Sequence, residues 1–289
     1  MKSRLMEIWR VGIAVFTTAG EKHLGLIAAG VAFFGMFGIF PGLAAIIAIF
    51  GLVADPVVIS DQLTLMQDII PPDAYRLLTA QVTGLVTAET QTLGWATVLS
   101  ILLALWSCRA AVGALIGGLN AIAGQRQRNT FVQLLVALLL TFALVFLAIV
   151  AVNVVIVLPI IMALLPLPSG TAWLLEGLRW VVALCVLIAG LGLLYRFGPV
   201  RIERRGRWVT VGALVVVVVW IAASAGLSFY LTNFASYNEV YGSIGAVIGM
   251  MLWLYVSAYL ILLGAALNMH VHGQRHKAQT KTDAVLEGV

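Results

Sequence analysis

The stretch Leu24–Ala54, LGLIAAGVAFFGMFGIFPGLAAIIAIFGLVA, decides the fold class. It holds no charged residue over a length greater than the ~20 apolar residues that a helix needs to cross the hydrocarbon of a bilayer. It therefore reads as a membrane span. It also contains Gly38, Pro41 and Gly42 near its middle, residue types that weaken a helix interior. Pro41 has no N–H to give the carbonyl of Phe37, and its ring crowds the preceding turn. A kink is expected there. Backbone groups disturbed at membrane depth persist where protein or water covers them, so Phe37, Phe40 and Pro41 are candidates for the wall of a substrate path. The competing reading is a packing bend around a neighbouring helix.

The rest of the chain extends this pattern. Of 289 residues, 62% are hydrophobic and 10% are charged. A soluble domain carries about 25% charged residues, so the composition excludes that class. Apolar runs occur at 24–54, 93–117, 131–165, 173–195, 208–231 and 243–269. Their continuity excludes a β-barrel, whose strands alternate with period two. The expected fold is all-α: a bundle of six transmembrane helices, the first and third kinked, the third at Pro159. Residues 1–23 read as a cytoplasmic amphipathic segment, with Leu5, Ile8, Trp9, Ile13 and Phe16 on one face. Its short apolar part, interrupted by Glu7 and Arg10, does not suit a cleavable signal. Residues 270–289 read as a flexible cytoplasmic tail.

Charge placement sets the orientation. Lys2, Arg4, Arg10, Lys22, Arg126, Arg128, Arg196, the cluster RIERRGR at 201–207 and the C-terminal lysines fall on one side. Arg76 and Arg179 fall on the other. The rule that cytoplasmic loops hold the Lys and Arg excess then places both termini in the cytoplasm. It also accounts for the net charge of +5 without a nucleic-acid partner, since no aromatic-rich binding module accompanies RIERRGR. The partners expected are membrane lipids. Loop 55–92 is acidic and reads as two short amphipathic helices, a place for an envelope partner or a cover for helix ends.

At this point several segments resemble the YihY/BrkB family of bacterial inner-membrane proteins. LIAAGVAFFGMFGIFPGLAAIIAIFGL (26–52) is similar to its first span and ALWSCRAAVGALIGGLNAIAG (104–124) to its second span and following loop. LYRFGPVR (194–201) is similar to the end of its fourth span, and YGSIGAVIGMMLWLYVSAYLILLGAALN (241–268) to its last. The resemblance covers roughly residues 10 to 270 and implies six spans with cytoplasmic termini. The family carries old ribonuclease BN and virulence-factor labels, and its members are described as transporters or lipid-linked envelope proteins. Members commonly have a Glu in a GAELN-like segment of the last span; here GAALN places Ala266 there. A cation or proton role for that acid does not transfer.

Few residues offer catalytic chemistry. His270, His272 and His276 form H-x-H-x3-H, more often a polar membrane edge than a zinc site. No phosphate-binding GxxxxGK[ST] loop occurs, and no nucleophile has an evident base. The expectation is a non-enzyme with neither metal nor cofactor. Cys108 and Cys185 lie in separate apolar runs and read as small hydrophobes. Polar groups inside spans are costly in lipid and mark the remaining candidates. Arg109 either snorkels to headgroups or faces a cavity that takes an anion. Asn153 suits an interhelical hydrogen bond, Asn120 and Tyr255 are further path candidates, and Glu176 and Arg179 are spaced to pair. The glycine pairs 38/42, 113/117 and 245/249 suit close helix packing. The functional expectation is a transporter-like protein that moves or presents a lipid or amphiphile; a membrane scaffold is the alternative.

Overall fold

The computed structural model describes residues 2–53, 90–125, 128–157, 169–200, 210–233 and 243–286. Among these the chain is helical throughout. In chain order the helices are α1 (Lys2–Glu21), α2 (Leu24–Val53), α3 (Thr90–Ile122), α4 (Thr130–Val152), α5 (Ser169–Phe197), α6 (Val211–Asn233) and α7 (Ser243–Leu286). A π-helical segment, Asn153–Val157, continues α4. Six helices are long and apolar enough to cross a membrane: α2 through α7, by the segments 24–42, 97–122, 130–155, 173–197, 211–230 and 247–271. At most a third of any of these segments is buried by protein, which leaves most of each apolar surface for lipid. The acidic loop 55–92, apart from residues 90–92, lies outside the described residues, as does Pro159.

The chain forms two compact units, with boundaries inside α2 and α3. The smaller unit is Phe34–Cys108. There Gly38 lets the two helices approach: a Cβ on it would lie 3.2 Å from Ser107 Cβ and 3.4 Å from Cys108 Sγ. Pro41 does not interrupt α2, which runs from Leu24 to Val53 through it. Loss of one backbone bond is tolerated inside a helix of 30 residues.

The larger unit contains Met1–Phe33 and Arg109–Val289. Its α6 and α7 pack most extensively. Gly212 and Gly264 face each other so closely that a Cβ on Gly212 would overlap the Gly264 carbonyl oxygen. Gly118 serves α3 in the same way, its Cβ position lying 2.7 Å from Leu262 Cδ2. Gly212, Gly264 and Gly118 are outside the paired motifs, whereas Gly113 and Gly117 have open space at their Cβ positions. Leu191, Ala213, Val216 and Val217 form one core cluster of α5 and α6, and Val112, Ile116, Ala137 and Leu140 form another of α3 and α4.

Two helix boundaries differ from the sequence expectation. α7 does not end at Met269 but runs to Leu286. Its 44 residues span about 66 Å, twice the thickness of the hydrocarbon. The continuation HVHGQRHKAQTKTDAVL contains good helix formers and no proline, so nothing in it stops the helix. The third span leaves α-geometry at Asn153.

α1 presents different residues on its two sides. Trp9, Ile13 and Phe16 are exposed, together with Met6, while Val15, Thr18 and Ala19 are buried. The buried side packs on α7, where Thr18 Oγ1 and His270 Nε2 are 3.0 Å apart. A tight turn at His23, with φ of 51°, leads directly into α2.

Candidate functional site

The end of α5 is built by its sequence. Gly198 and Pro199 follow Phe197, and a proline there cannot continue the helix. Gly198 is required by space: a Cβ would lie 2.5 Å from the Leu194 carbonyl oxygen and 2.6 Å from Leu119 Cδ1. The last carbonyls of a helix lack intrahelical donors and carry about half a negative elementary charge. Arg128 supplies both donors and charge. Its Nη1 donates to the Gly198 carbonyl at 2.9 Å, and its Nη2 donates to the Pro199 carbonyl at 2.6 Å and the Phe197 carbonyl at 3.3 Å. From the other side Asn120 Oδ1 accepts the Val200 N–H at 2.9 Å. Asn120 is almost completely buried, and its Nδ2 has no acceptor among the described residues. Partial burial pushes the Arg128 pKa below the ordinary guanidinium range, because desolvation disfavours the charge. Such a group stays protonated near neutrality.

Beside this clamp, α4 and α5 enclose a groove of about 500 Å³. Its wall is aliphatic: Val136, Leu139, Leu140 and Ala143 from α4 and Leu193 from α5. Arg128, Arg196, Phe197, Pro199 and Val200 line the remainder. Among the described residues that line it, none is acidic. Leu140 belongs to the core, whereas Leu139 is exposed, so the groove opens from packed interior toward the lipid-facing surface. Arg196 also lies over the Phe197 ring, 5.8 Å from its centroid.

The residues marked by sequence scatter more widely. Asn120 reaches the clamp. Phe37, Phe40 and Pro41 lie in the smaller unit, both phenylalanines exposed and Pro41 half-buried. Arg109 is half-buried, and its buried Nε has no acceptor among the described residues. Asn153 makes no helix-to-helix bond: its Nδ2 donates to the Ile149 carbonyl of its own helix at 2.8 Å, the nearest acceptor one turn back. Tyr255 is stacked on Tyr259, with centroids 6.0 Å apart, and its hydroxyl lies 3.2 Å from where a Gly25 Cβ would be. That is close packing of α2 on α7. Glu176 and Arg179 do pair, as their spacing predicts, and Trp180 Nε1 donates to Glu176 Oε1 at 3.0 Å. Pro159 is outside the described residues, and so are the side chains of His272 and His276. Among the described residues no group of three His, Cys, Asp or Glu converges.

Arg128 and Arg196 appear in the sequence only as markers of orientation. The signal that points further is RFGP: a helix stopped by Gly-Pro has orphan carbonyls, which a cationic side chain can meet.

Comparison with known proteins agrees with this architecture. The family described as Virulence factor BrkB matches residues 15–286. A ribonuclease-like protein, YfkH of Bacillus subtilis, is 32% identical over 61% of this chain and 65% of its own length. A UPF0761 membrane protein of Xanthomonas axonopodis pv. citri is 32% identical over 37% of this chain and 25% of its own length. The chain thus spans less than two thirds of these relatives. No solved structure matches. With the family match running from α1 to the end of α7, and six helices fit to span a bilayer, the chain belongs to the BrkB (YihY) family of membrane proteins.

Proposed function

We propose that this protein is a non-enzymatic, multi-pass protein of the bacterial inner membrane, with both termini cytoplasmic, that takes an amphiphile from the bilayer and moves or presents it. The single observation that carries this reading is the α4–α5 groove, an aliphatic slot open to the lipid-facing side with two guanidinium groups lining it. Aliphatic walls within the apolar spans suit a hydrocarbon chain. Cationic groups at one end suit a polar head at the membrane boundary. The bias of Lys and Arg toward that side supports assigning this end to the cytoplasmic leaflet. The ribonuclease label of the Bacillus relative is not carried over, because the sequence offers neither a nucleophile with a base nor a spaced metal-ligand set.

The test is transbilayer movement of fluorescent lipids in proteoliposomes. Wild type is expected to exceed protein-free liposomes, and Ala143→Trp, which fills the groove, to fall back to them while staying helical. A wild type that moves no lipid overturns the transport half of the reading and leaves presentation. Equal movement by the filled variant overturns the groove as the route.

A further inference from the structure

We infer that α1 is an interfacial helix, with its exposed stripe of Met6, Trp9, Ile13 and Phe16 set into the bilayer boundary between headgroups and acyl chains. The partner of this face is the lipid surface itself. The contact is separate from the α4–α5 groove: among the described residues that line that groove, none belongs to α1.

Two points hold α1 at the membrane boundary. Only Lys22 and His23 separate it from α2, whose apolar span begins at Leu24. The His23 N–H donates to the Gly20 carbonyl at 3.1 Å, and the His23 carbonyl accepts the Leu26 N–H at 3.0 Å. One residue thus closes α1 and opens α2, and the turn has no slack to carry α1 away from the bilayer. One helical turn earlier, Thr18 meets His270, which is one residue short of the end of the α7 span at Val271. The charges of Lys2, Arg4, Glu7, Arg10 and Glu21 keep α1 from crossing the hydrocarbon.

The size of the side chains then decides which way α1 faces. Toward α7 they are small: Val15, Thr18 and Ala19 are buried. On the opposite side they are large: Met6, Trp9, Ile13 and Phe16 are 57, 71, 51 and 66% exposed. At 3.6 residues per turn these four fall within about 80° of helix surface, one continuous apolar stripe. A course into water would leave that stripe wet. Along the boundary it enters the acyl region, while the Trp9 indole N–H stays with the headgroups, where Trp is enriched. Arg10 and Lys22 are exposed and long enough to reach lipid phosphates. Residues 1–23 hold four basic residues against two acidic ones. A second copy of α1 on the stripe would bring like charge to like, whereas an anionic lipid surface meets the excess.

Photolabelling of the purified full chain in nanodiscs of mixed phosphatidylcholine and phosphatidylglycerol tests this. The probe is a phosphatidylcholine with a diazirine near the glycerol end of its acyl chain, and labelled residues are mapped by mass spectrometry. Label is expected on Trp9, Ile13 and Phe16 at the level of exposed Phe131, which stands at the start of the α4 span, and about tenfold less on Val15 and Ala19. The double variant Trp9→Glu, Phe16→Glu withdraws two large apolar side chains from lipid and should lower the α1 label by about tenfold or more. Its helicity and size-exclusion profile should match wild type, because both residues face away from α7. Label on Phe131 with none on α1 would overturn the assignment, and cross-links between chains through Lys2 or Lys22 in that case would make a second copy the occupant. Label on α1 that persists in the double variant, or that is equal on Val15 and Ala19, would show that the stripe does not make the contact and would overturn it as well.

Discussion

Helices α6 and α7 meet differently from α4 and α5, and the difference separates frame from site. The α6–α7 seam has backbone against backbone at Gly212 and Gly264. Its polar groups are matched: Asn268 Oδ1 accepts the Gly212 N–H at 2.7 Å, and Asn268 Nδ2 donates to Thr210 Oγ1 at 2.9 Å. Further along, Trp220 Nε1 donates to Ser257 Oγ and Trp253 Nε1 to Ser224 Oγ, so each helix gives one indole and one hydroxyl. Tyr195 of α5 adds a bond to the Ile261 carbonyl at 2.8 Å. Lipid supplies no hydrophobic drive for helices to associate, so close packing and matched polar groups must hold them. Among the described residues, the α4–α5 pair shows no backbone-to-backbone glycine contact at the groove. It is clasped by Arg128 at one end, hollow beside that clasp, and packed again where the π-helical segment meets α5. Tight pairs resist change; a pair hollow along part of its length can admit a guest.

The largest effect is expected from breaking the tight pair. Gly212→Ala places a methyl group on the Gly264 carbonyl oxygen, which cannot yield without moving α7. Such overpacking costs about 3 kcal/mol or more where backbone is the obstacle. Thermal unfolding followed by size-exclusion should show a large loss of stability or no folded protein. Unchanged stability would mean that the seam is not the frame.

A smaller cost is expected at the fastening. Arg128→Ala removes three bonds to the end of α5, and bonds to a charged donor are worth about 1.5–3 kcal/mol. Geometry at Phe197 and Pro199 is shared, so the loss should resemble one such bond, roughly 2 kcal/mol, and not three. Asn120→Ala should cost about 1–2 kcal/mol by leaving the Val200 N–H without its acceptor. The double variant should cost less than the sum, because both clasp one turn. Full additivity, measured in the same unfolding assay, would show that the turn is not held as a unit.

How much of this was legible in the sequence follows from the kind of signal each feature leaves. The spans stand out because hydrocarbon thickness fixes a length and excludes charge. The Glu176–Arg179 pair stands out because helix geometry makes residues three apart neighbours. The groove was not legible. It depends on the distance between two helices that are separate in the sequence, and its arginines read equally well as topology markers. The glycine seam was hidden for the same reason: Gly212 and Gly264 share no motif, while Gly113 and Gly117 share one and face open space. Pro41 drew attention as the strangest residue in an apolar run, yet α2 continues through it. Local oddity in a sequence marks a local cost, which a neighbouring helix can absorb.

The smallest effect is expected at Asn153, where α4 passes into its π-helical turn. The side chain is exposed and its amide returns to the Ile149 carbonyl, which also accepts the Asn153 backbone N–H. Removing the side chain therefore leaves that carbonyl satisfied. Asn153→Leu should change stability by less than about 0.5 kcal/mol, and lipid movement in proteoliposomes should match wild type. The π segment packs on α5, the helix that forms the other wall of the groove. A variant that folds normally but loses lipid movement would thus carry the route along α4 past the groove to this turn. The hollow part of the α4–α5 pair would then extend well beyond its arginine-lined end.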